Sequence, residues 1–167
     1  MPLTKIKSLG ITDGTILGTD VNSTFDLTGK TVTLPAGTGG KVLQVVHATS
    51  TTTSTITSSS FVTLGFSASI TPSSTSNKIL VIVNFTVEQT NTSAFNIDRN
   101  GTLMSSETNG LGAIQTANLN VMTSLNYLDS PSSTSSRTYT LFGKTNGTLY
   151  FDPSSATASM VLMEIAA

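Results

Sequence analysis

Residues 96–107 contain the strongest local pattern for metal chemistry in the chain. Oxygen-bearing side chains occupy positions one, three, five and twelve of this segment, as Asn96, Asp98, Asn100 and Glu107, with Gly101 at position six. This order approaches a twelve-residue calcium loop, in which side-chain oxygens surround a hard cation. Its first position is Asn rather than Asp, and its neighbours do not predict the helices that flank an EF-hand. We therefore predict a β-hairpin turning at Asn100-Gly101, and no metal site.

Other patterns that could support catalysis have simpler interpretations. His47 is the single histidine of the sequence and is predicted to be a polar strand residue. Residues 65–69 resemble a nucleophile elbow but lack its second glycine, so they predict a strand. Residues 37–40 lack the Lys-Ser/Thr of a phosphate-binding loop and predict a linker. The nine carboxylates are scattered rather than paired as in glycosidases. We expect no catalytic residue, no cofactor and no enzymatic activity.

Composition narrows the classes of partner. Charged residues make up 10% of the chain, the net charge is −1, and the eight Lys and Arg residues are spread singly. Without a basic stripe to neutralise phosphates, nucleic acid is not an expected partner. The longest apolar run, residues 79–83, is far too short to cross a bilayer, so we expect no membrane insertion. Cysteine is absent from the sequence, so stability must come from packing or from oligomerisation.

From Lys41 onward, short apolar runs recur about every ten residues between turn-rich stretches. This spacing is typical of an all-β sandwich or barrel. The predicted strands cover residues 42–47, 61–64, 66–70, 78–88, 94–98, 102–106, 119–127, 139–142, 149–151 and 160–165. Residues 146–147 predict a second Asn-Gly turn, and no window predicts a helix. We expect residues 41–167 to form one antiparallel β-sandwich head domain.

The clearest predicted strand spans residues 78–88. Ile79, Val81 and the alternate residues that follow are apolar on one face throughout. The other face begins with Leu80 and Ile82 and then becomes polar. We therefore expect one end of this strand to be buried on both sides and the other end to be half-exposed.

Residues 1–40 differ from the rest of the chain. Isolated aliphatic residues are separated by Gly, Asp and Thr, and neither a helical nor a strand period persists. The aliphatics that we single out as stem or docking residues are Leu3, Ile6, Ile11, Ile16 and Val21. Such sparse residues cannot build a core within one chain, but they could pair across three parallel copies. We predict an extended stem or docking arm, a Gly-rich joint at its end, and a homotrimer.

One predicted strand presents a row of amides opposite its core face. Asn118, Asn120 and Asn126 fall on this polar face, and Tyr127 and Tyr150 are candidate aromatic platforms for stacking. Neutral hydrogen-bonding groups beside aromatic rings suit sugars, so we predict a metal-independent, glycan-like ligand here. The alternative is a solvated face without a ligand.

Eight short segments together carry a resemblance: residues 3–7, 11–16, 40–46, 70–74, 78–81, 99–102, 127–131 and 162–165. They resemble segments of tail-fibre-like proteins of marine phages. The resemblance spans nearly the whole chain, and its motifs are turns and strand cores rather than catalytic signatures. It implies a homotrimeric appendage on the phage particle surface, with a C-terminal jelly-roll-like β-sandwich of the C1q-like or tumour-necrosis-factor-like kind.

Three functional hypotheses follow from these patterns. The first is a virion structural protein, a tail fibre or surface appendage, which docks to other virion proteins through the N-terminal arm and binds a host surface glycan. The second is a capsid decoration protein, which the absence of a long shaft favours. The third, a polysaccharide-degrading enzyme, requires clustered acids that the sequence does not display.

Overall fold

The computed structural model describes residues 41–115, 118–152 and 156–167. The predicted stem at residues 1–40, its five aliphatic docking residues and the Gly-rich joint lie outside the described residues. Within the described ranges, strands and turns account for the secondary structure and no helix occurs. The prediction of an all-β chain built from antiparallel sheets is confirmed.

The larger of the two sheets, sheet A, has six strands. Its strands are β1 (Val42–Ser50), β2 (Ser54–Ile56), β4 (Lys78–Gln89), β8 (Val121–Asp129), β10 (Leu149–Phe151) and β11 (Ala158–Ile165). β8 pairs with one side of β4, while β11 and then β10 pair with its other side. β1 pairs with β11 and β2 pairs with β10, so interrupted strands fill two positions of the sheet.

Sheet B contains the remaining strands. They are β3 (Val62–Ile70), β5 (Ser93–Arg99), β6 (Thr102–Leu103), β7 (Gly112–Ile114) and β9 (Arg137–Thr145). The order is β3, β9, β5, with β6 and β7 both pairing with β5. All of these ladders are antiparallel.

The core receives side chains from both sheets. In β4 every second residue from Ile79 to Val87 is buried, as the alternation predicted. Phe85 of sheet A meets Phe95 of sheet B edge to face, with ring centroids 5.1 Å apart. Sheet A and sheet B therefore contribute to a common hydrophobic core.

The opposite side of β4 differs from the prediction. Leu80 and Ile82 were expected to be buried, yet both are half-exposed in the single chain. Their side chains point away from the core, and no other element of the described residues covers them fully. The sequence is thus more apolar on this side than the packing of one chain requires.

The two Asn-Gly turns have different outcomes. Asn100 and Gly101 both have positive φ angles, 51° and 91°, and they join β5 to β6 as the predicted hairpin. The turn at residues 146–147 instead carries the chain from β9 in sheet B to β10 in sheet A. A local turn signal therefore identified both bends, but it did not determine which strands pair.

Within the described ranges, no helix has the length and apolarity needed to span a bilayer.

Candidate interaction surfaces

The outward side of sheet A carries a row of apolar side chains across four neighbouring strands. Val45 of β1 pairs with Met163 of β11, Met163 pairs with Leu80 of β4, and Leu80 pairs with Leu128 of β8. Directly opposed residues in antiparallel strands place their side chains on the same face. The next row along the same pairings is His47, Val161, Ile82 and Asn126. Two adjacent rows are therefore mostly apolar.

The end of β1 extends this surface. A register shift between Val42 and Gln44 leaves Leu43 as an extra residue, and Val42 and Leu43 are 50% and 49% exposed. Val45 and Leu128, at opposite edges of the sheet, are 55% and 51% exposed. We call this surface the apolar face and define it by Val42, Leu43, Val45, Leu80, Ile82, Leu128, Val161, Met163 and Ile165.

The predicted ligand residues on β8 are divided between two sides. Asn126 is exposed on the outward side, opposite Ile82, and thus lies beside the apolar face. Tyr127 points the other way and packs against the core, so its ring does not lie beside the amide of Asn126. Asn120 is exposed and precedes the first residue of β8.

Asn118 and Tyr150 lie toward the other end of sheet A. The backbone N–H of Asn118 donates to the carbonyl of Gln89 at 2.6 Å. Tyr150 is 37% exposed and pairs with Glu88 on the outward side. Along β4, Glu88 lies about 20 Å from the residue opposite Asn126, at the usual rise per strand residue. The five predicted residues therefore do not form one ligand site.

A cleft of about 160 Å³ opens near the ends of β5 and β9. Its lining residues are Thr92, Ala94, Thr108, Asn109, Lys144, Thr145 and Asn146. Hydroxyls and amides dominate this lining, and the Lys144 ammonium lies 4.9 Å from the centroid of the Phe61 ring. The cleft has groups that can hydrogen-bond a small polar ligand, and one cation that can pair with an anionic substituent.

The oxygens of the calcium-like segment hold the hairpin region together. Asn96 Nδ2 donates to the Ser105 carbonyl at 2.8 Å, and the Ser105 N–H donates back to Asn96 Oδ1 at 3.2 Å. Asp98 Oδ1 accepts the N–H of the turn glycine at 2.8 Å. Asn100 Oδ1 accepts the Thr138 N–H, also at 2.8 Å. These side chains position the loop over sheet B and join it to β9.

Glu164 is the centre of a buried polar network in sheet A. Its carboxylate accepts hydrogen bonds from the Ser73 N–H and hydroxyl at 2.6 and 2.8 Å. Asn77 Nδ2 and Gln44 Nε2 each donate to it at 2.6 Å. Burial by itself would raise the pKa of Glu164, but these donors outweigh that effect and lower the pKa to about 2. The ionised side chain therefore ties β1, the turn before β4 and β11 together.

A second buried carboxylate connects the two sheets. Arg99 Nη1 of β5 lies 2.6 Å from both carboxylate oxygens of Asp129 in β8. The Tyr139 hydroxyl of β9 donates to Asp129 Oδ2 at 2.7 Å. Burial, and then the hydrogen bond and charge of Asp129, raise the pKa of Tyr139, so the phenol remains a donor.

Glu164 and Asp129 are close in the sheet, because both pair with Ile79 of β4 on its two sides. A glycosidase general acid needs a raised pKa, whereas Glu164 has the opposite shift. Both carboxylates also have their oxygens engaged by side-chain donors. Their arrangement is that of structural ion and hydrogen-bond networks rather than of an acid–base pair.

No local sequence pattern predicted either network. A signal for Glu164 was present, since it is a single carboxylate between apolar residues in the last strand. Its donors come from residues about 90 and 120 positions earlier in the chain. Only the folded arrangement brings them together.

The sequence matches none of the protein-family models and none of the curated proteins with which it was compared. Function must therefore be inferred from the fold and surfaces of the chain itself.

Proposed function

We propose that this chain is a structural protein of a phage virion, a tail fibre or surface appendage. In this proposal residues 1–40 dock the protein to other virion proteins, and residues 41–167 form the outward head that contacts the host surface. The observation that carries the proposal is the strand order, taken together with an exterior that is rich in hydroxyls and sparse in charge.

The strand order supports a jelly-roll sandwich. Counting β2 with β1, β10 with β11 and β6 with β7, one sheet runs β1, β11, β4, β8 and the other runs β3, β9, β5, β7. Apart from β5 and β7, which share sheet B, consecutive strands alternate between the sheets in the manner of an eight-stranded jelly roll, an architecture that recurs in viral capsid and lectin domains. The contact between Phe85 and Phe95 supports face-to-face packing of these sheets.

The outward side of sheet B supports an extracellular, binding role. Thr63, Ser67 and Ser69 are exposed along β3, and Ser69 and Thr138 share a hydrogen bond of 2.8 Å between their hydroxyls. A surface of hydroxyls interacts with water without ion pairs, so its solubility should depend weakly on salt. This property suits a particle that meets variable ionic strength.

We further propose a homotrimer, because three parallel stems could share the sparse aliphatics of residues 1–40. Light scattering of the full chain should give three times the 17.3 kDa chain mass. A monomeric mass at micromolar concentration would refute the trimer. Deleting residues 1–40 should weaken assembly while retaining the far-UV circular dichroism of a β-rich fold.

The position of the protein on the virion, and which of its ends faces outward, can be tested on assembled particles. A cryo-EM map of the virion should place the β-rich region at the distal end of a tail fibre or appendage. A tag after Ala167 should be accessible to antibody, and a tag before Met1 should be hidden. The reverse pattern of accessibility would invert the proposed orientation.

A capsid decoration protein is the second candidate. The same jelly-roll-like strand order supports it, because this architecture also recurs in viral capsid domains. The cryo-EM map separates the two candidates by position and copy number. Density distributed over the capsid lattice would favour decoration and would refute the tail appendage.

For the host ligand we propose a glycan recognised without metal. Two regions offer suitable groups: the Asn118 and Tyr150 end of sheet A, and the hydroxyl- and amide-lined cleft around Lys144. A glycan array should show the same binding with and without chelator. An Asn118→Ala, Asn120→Ala double variant tests the first region, and Lys144→Ala tests the second. Binding that disappears in chelator would refute metal-independent recognition and return attention to residues 96–107.

A further inference from the structure

The outward side of β4 is more apolar than one chain requires. Leu80 and Ile82 have the sequence pattern of a strand end buried on both sides, but in the single chain they are half-exposed. Met163 and Leu128 flank Leu80, whereas Ile82 has Val161 on one side and Asn126 on the other. The mismatch between pattern and burial at Leu80 and Ile82 lies within the apolar face.

We propose that the apolar face is the surface through which copies of this chain associate. The face of one head packs against a neighbouring head, and burial of Leu80 and Ile82 is completed between copies rather than within one. This inference concerns the head itself, so it does not depend on the chain being a virion protein. It adds an interface to the stem contacts proposed above.

The size of the apolar face suits the centre of such an interface. Three inter-strand spacings and two repeats along the strands, with side-chain margins, give an area on the order of 400 Å². This is within the range of the largest apolar patch on a monomer, which is often functional. A stable interface buries about 800 Å² on each partner, with an apolar centre and a polar rim.

The row next to the apolar face is polar, as the rim of a protein interface is. Thr49, Ser159, Asn84 and Ser124 are opposed across the same four strands. Their hydroxyl and amide groups can exchange hydrogen bonds between copies or with bridging water. The outward side of sheet A therefore has the apolar centre and polar border of a protein interface in one continuous surface.

Charge favours a second copy as the occupant. The rows from Val45 to Leu128 and from His47 to Asn126 contain no Asp, Glu, Lys or Arg, and Lys78 borders the apolar face where it pairs with Ile165. A partner that buries this surface must itself be neutral and apolar there, and the same face of another copy meets this condition. The net charge of −1 adds almost no repulsion between copies.

The exposed edge of sheet A is a further reason to expect a closed oligomer. β8 pairs with β4 alone among the described strands, and its nine residues include one charged side chain, Asp129, which points inward. A long edge without charge is a template for pairing with other chains. A closed oligomer that covers both the apolar face and this edge would prevent open-ended association.

Charged substitutions on the full-length chain test the interface. Val45→Arg with Leu128→Arg places two cations on the apolar face, at positions exposed enough to tolerate them in a folded chain. The matched control is Ser67→Arg with Ser69→Arg, which makes the same charge change on exposed positions of sheet B. Sedimentation equilibrium should show at least tenfold weaker association for the first variant and no change for the control.

Crosslinking provides a second measurement that needs no charged substitution. Because the chain has no cysteine, Leu128→Cys and Val45→Cys each introduce a single reactive thiol. A short bis-maleimide should join copies of these variants into covalent dimers under native conditions. Ser69→Cys on sheet B should remain a single chain on a denaturing gel.

The outcomes separate the interface from the proposed trimer and from the virion assignment. A wild-type chain that is monomeric at tens of micromolar would overturn the interface. Association that survives Val45→Arg with Leu128→Arg, together with no crosslinking at Leu128→Cys, would also overturn it, while leaving a stem-driven trimer intact. A two-chain mass that is lost in the charged variant would support the interface and refute the trimer.

Discussion

The outward faces of the two sheets differ in polarity and in how far the chain covers them. Sheet A presents Val45, Met163, Leu80 and Leu128 in an uncovered row. Sheet B has exposed hydroxyls on β3, and a loop fastened to Asn96 covers the outward side of β5. Sheet A keeps an uncovered apolar area on its outward side, whereas the outward side of sheet B is polar on β3 and covered by the loop on β5.

This contrast indicates that burial within one chain does not account for the apolar residues on the outward side of sheet A. A face that met water in the functional state could have the Ser and Thr residues that are abundant elsewhere in the protein. Sheet A instead retains aliphatic side chains at outward positions where each exposed methylene forfeits roughly 0.8 kcal/mol of burial. The retained residues support the proposed interface on sheet A.

The largest expected effect is that of Glu164→Gln. The amide would direct a donor NH₂ group toward Asn77, Gln44 or Ser73 and remove the charge that these donors stabilise. We expect the free energy of unfolding to fall by about 3 kcal/mol, since buried donors lose their acceptor. Chemical denaturation measures this change.

The same variant also tests the apolar face of sheet A, because Gln44 belongs to the strand that contributes Val45 to that face. Association should weaken along with stability. Glu107→Gln is the control, since its side chain is exposed on the loop over sheet B. Equal stability losses in both variants would show that the Glu164 network has no special role.

Acid should destabilise the protein through the same carboxylate. Its pKa is lowered from 4.5 to about 2 in the folded state, so the folded protein holds that proton less tightly than the unfolded chain. The stabilisation is present above pH 4.5 and is lost as the pH falls toward 2. Denaturation midpoints measured across this range should decrease, and the decrease should be smaller in Glu164→Gln. An identical pH profile for the variant would contradict the assignment.

Asn96→Ala tests the covered side of sheet B. Removing this amide leaves the N–H and carbonyl of Ser105 without their partner, at a cost of about 2 kcal/mol. Because the loop lies on sheet B, the oligomeric mass should be unchanged at temperatures where the variant is folded. Asn120→Ala, at an exposed position, is the control for stability. A loss of association in Asn96→Ala would contradict the proposed difference between the two faces.

Tyr139→Phe has the smallest expected effect of the set. It removes one donor from Asp129 but leaves both short contacts with Arg99 in place. We expect a loss of about 1 kcal/mol in unfolding free energy and no change in association. Tyr150→Phe, whose ring is partly exposed, should be neutral in thermal denaturation. A larger loss in Tyr150→Phe than in Tyr139→Phe would contradict the assigned role of the buried phenol.

Local sequence signals determined the elements of this protein. Alternation from Ile79 to Val87 identified β4 and its core face, because a strand places successive side chains on opposite sides. Asn100-Gly101 identified the hairpin, because these residues tolerate positive φ.

Tertiary structure decided which residues meet. The amides of Asn118 and Asn126 appeared to share one strand face, but strand pairing places them near different ends of sheet A. Glu164 and its donors are far apart in sequence, and the row from Val45 to Leu128 joins strands from both ends of the described chain. Sequence periodicity fixes the side on which a residue lies, whereas long-range pairing and register, which no local pattern encodes, fix its neighbours.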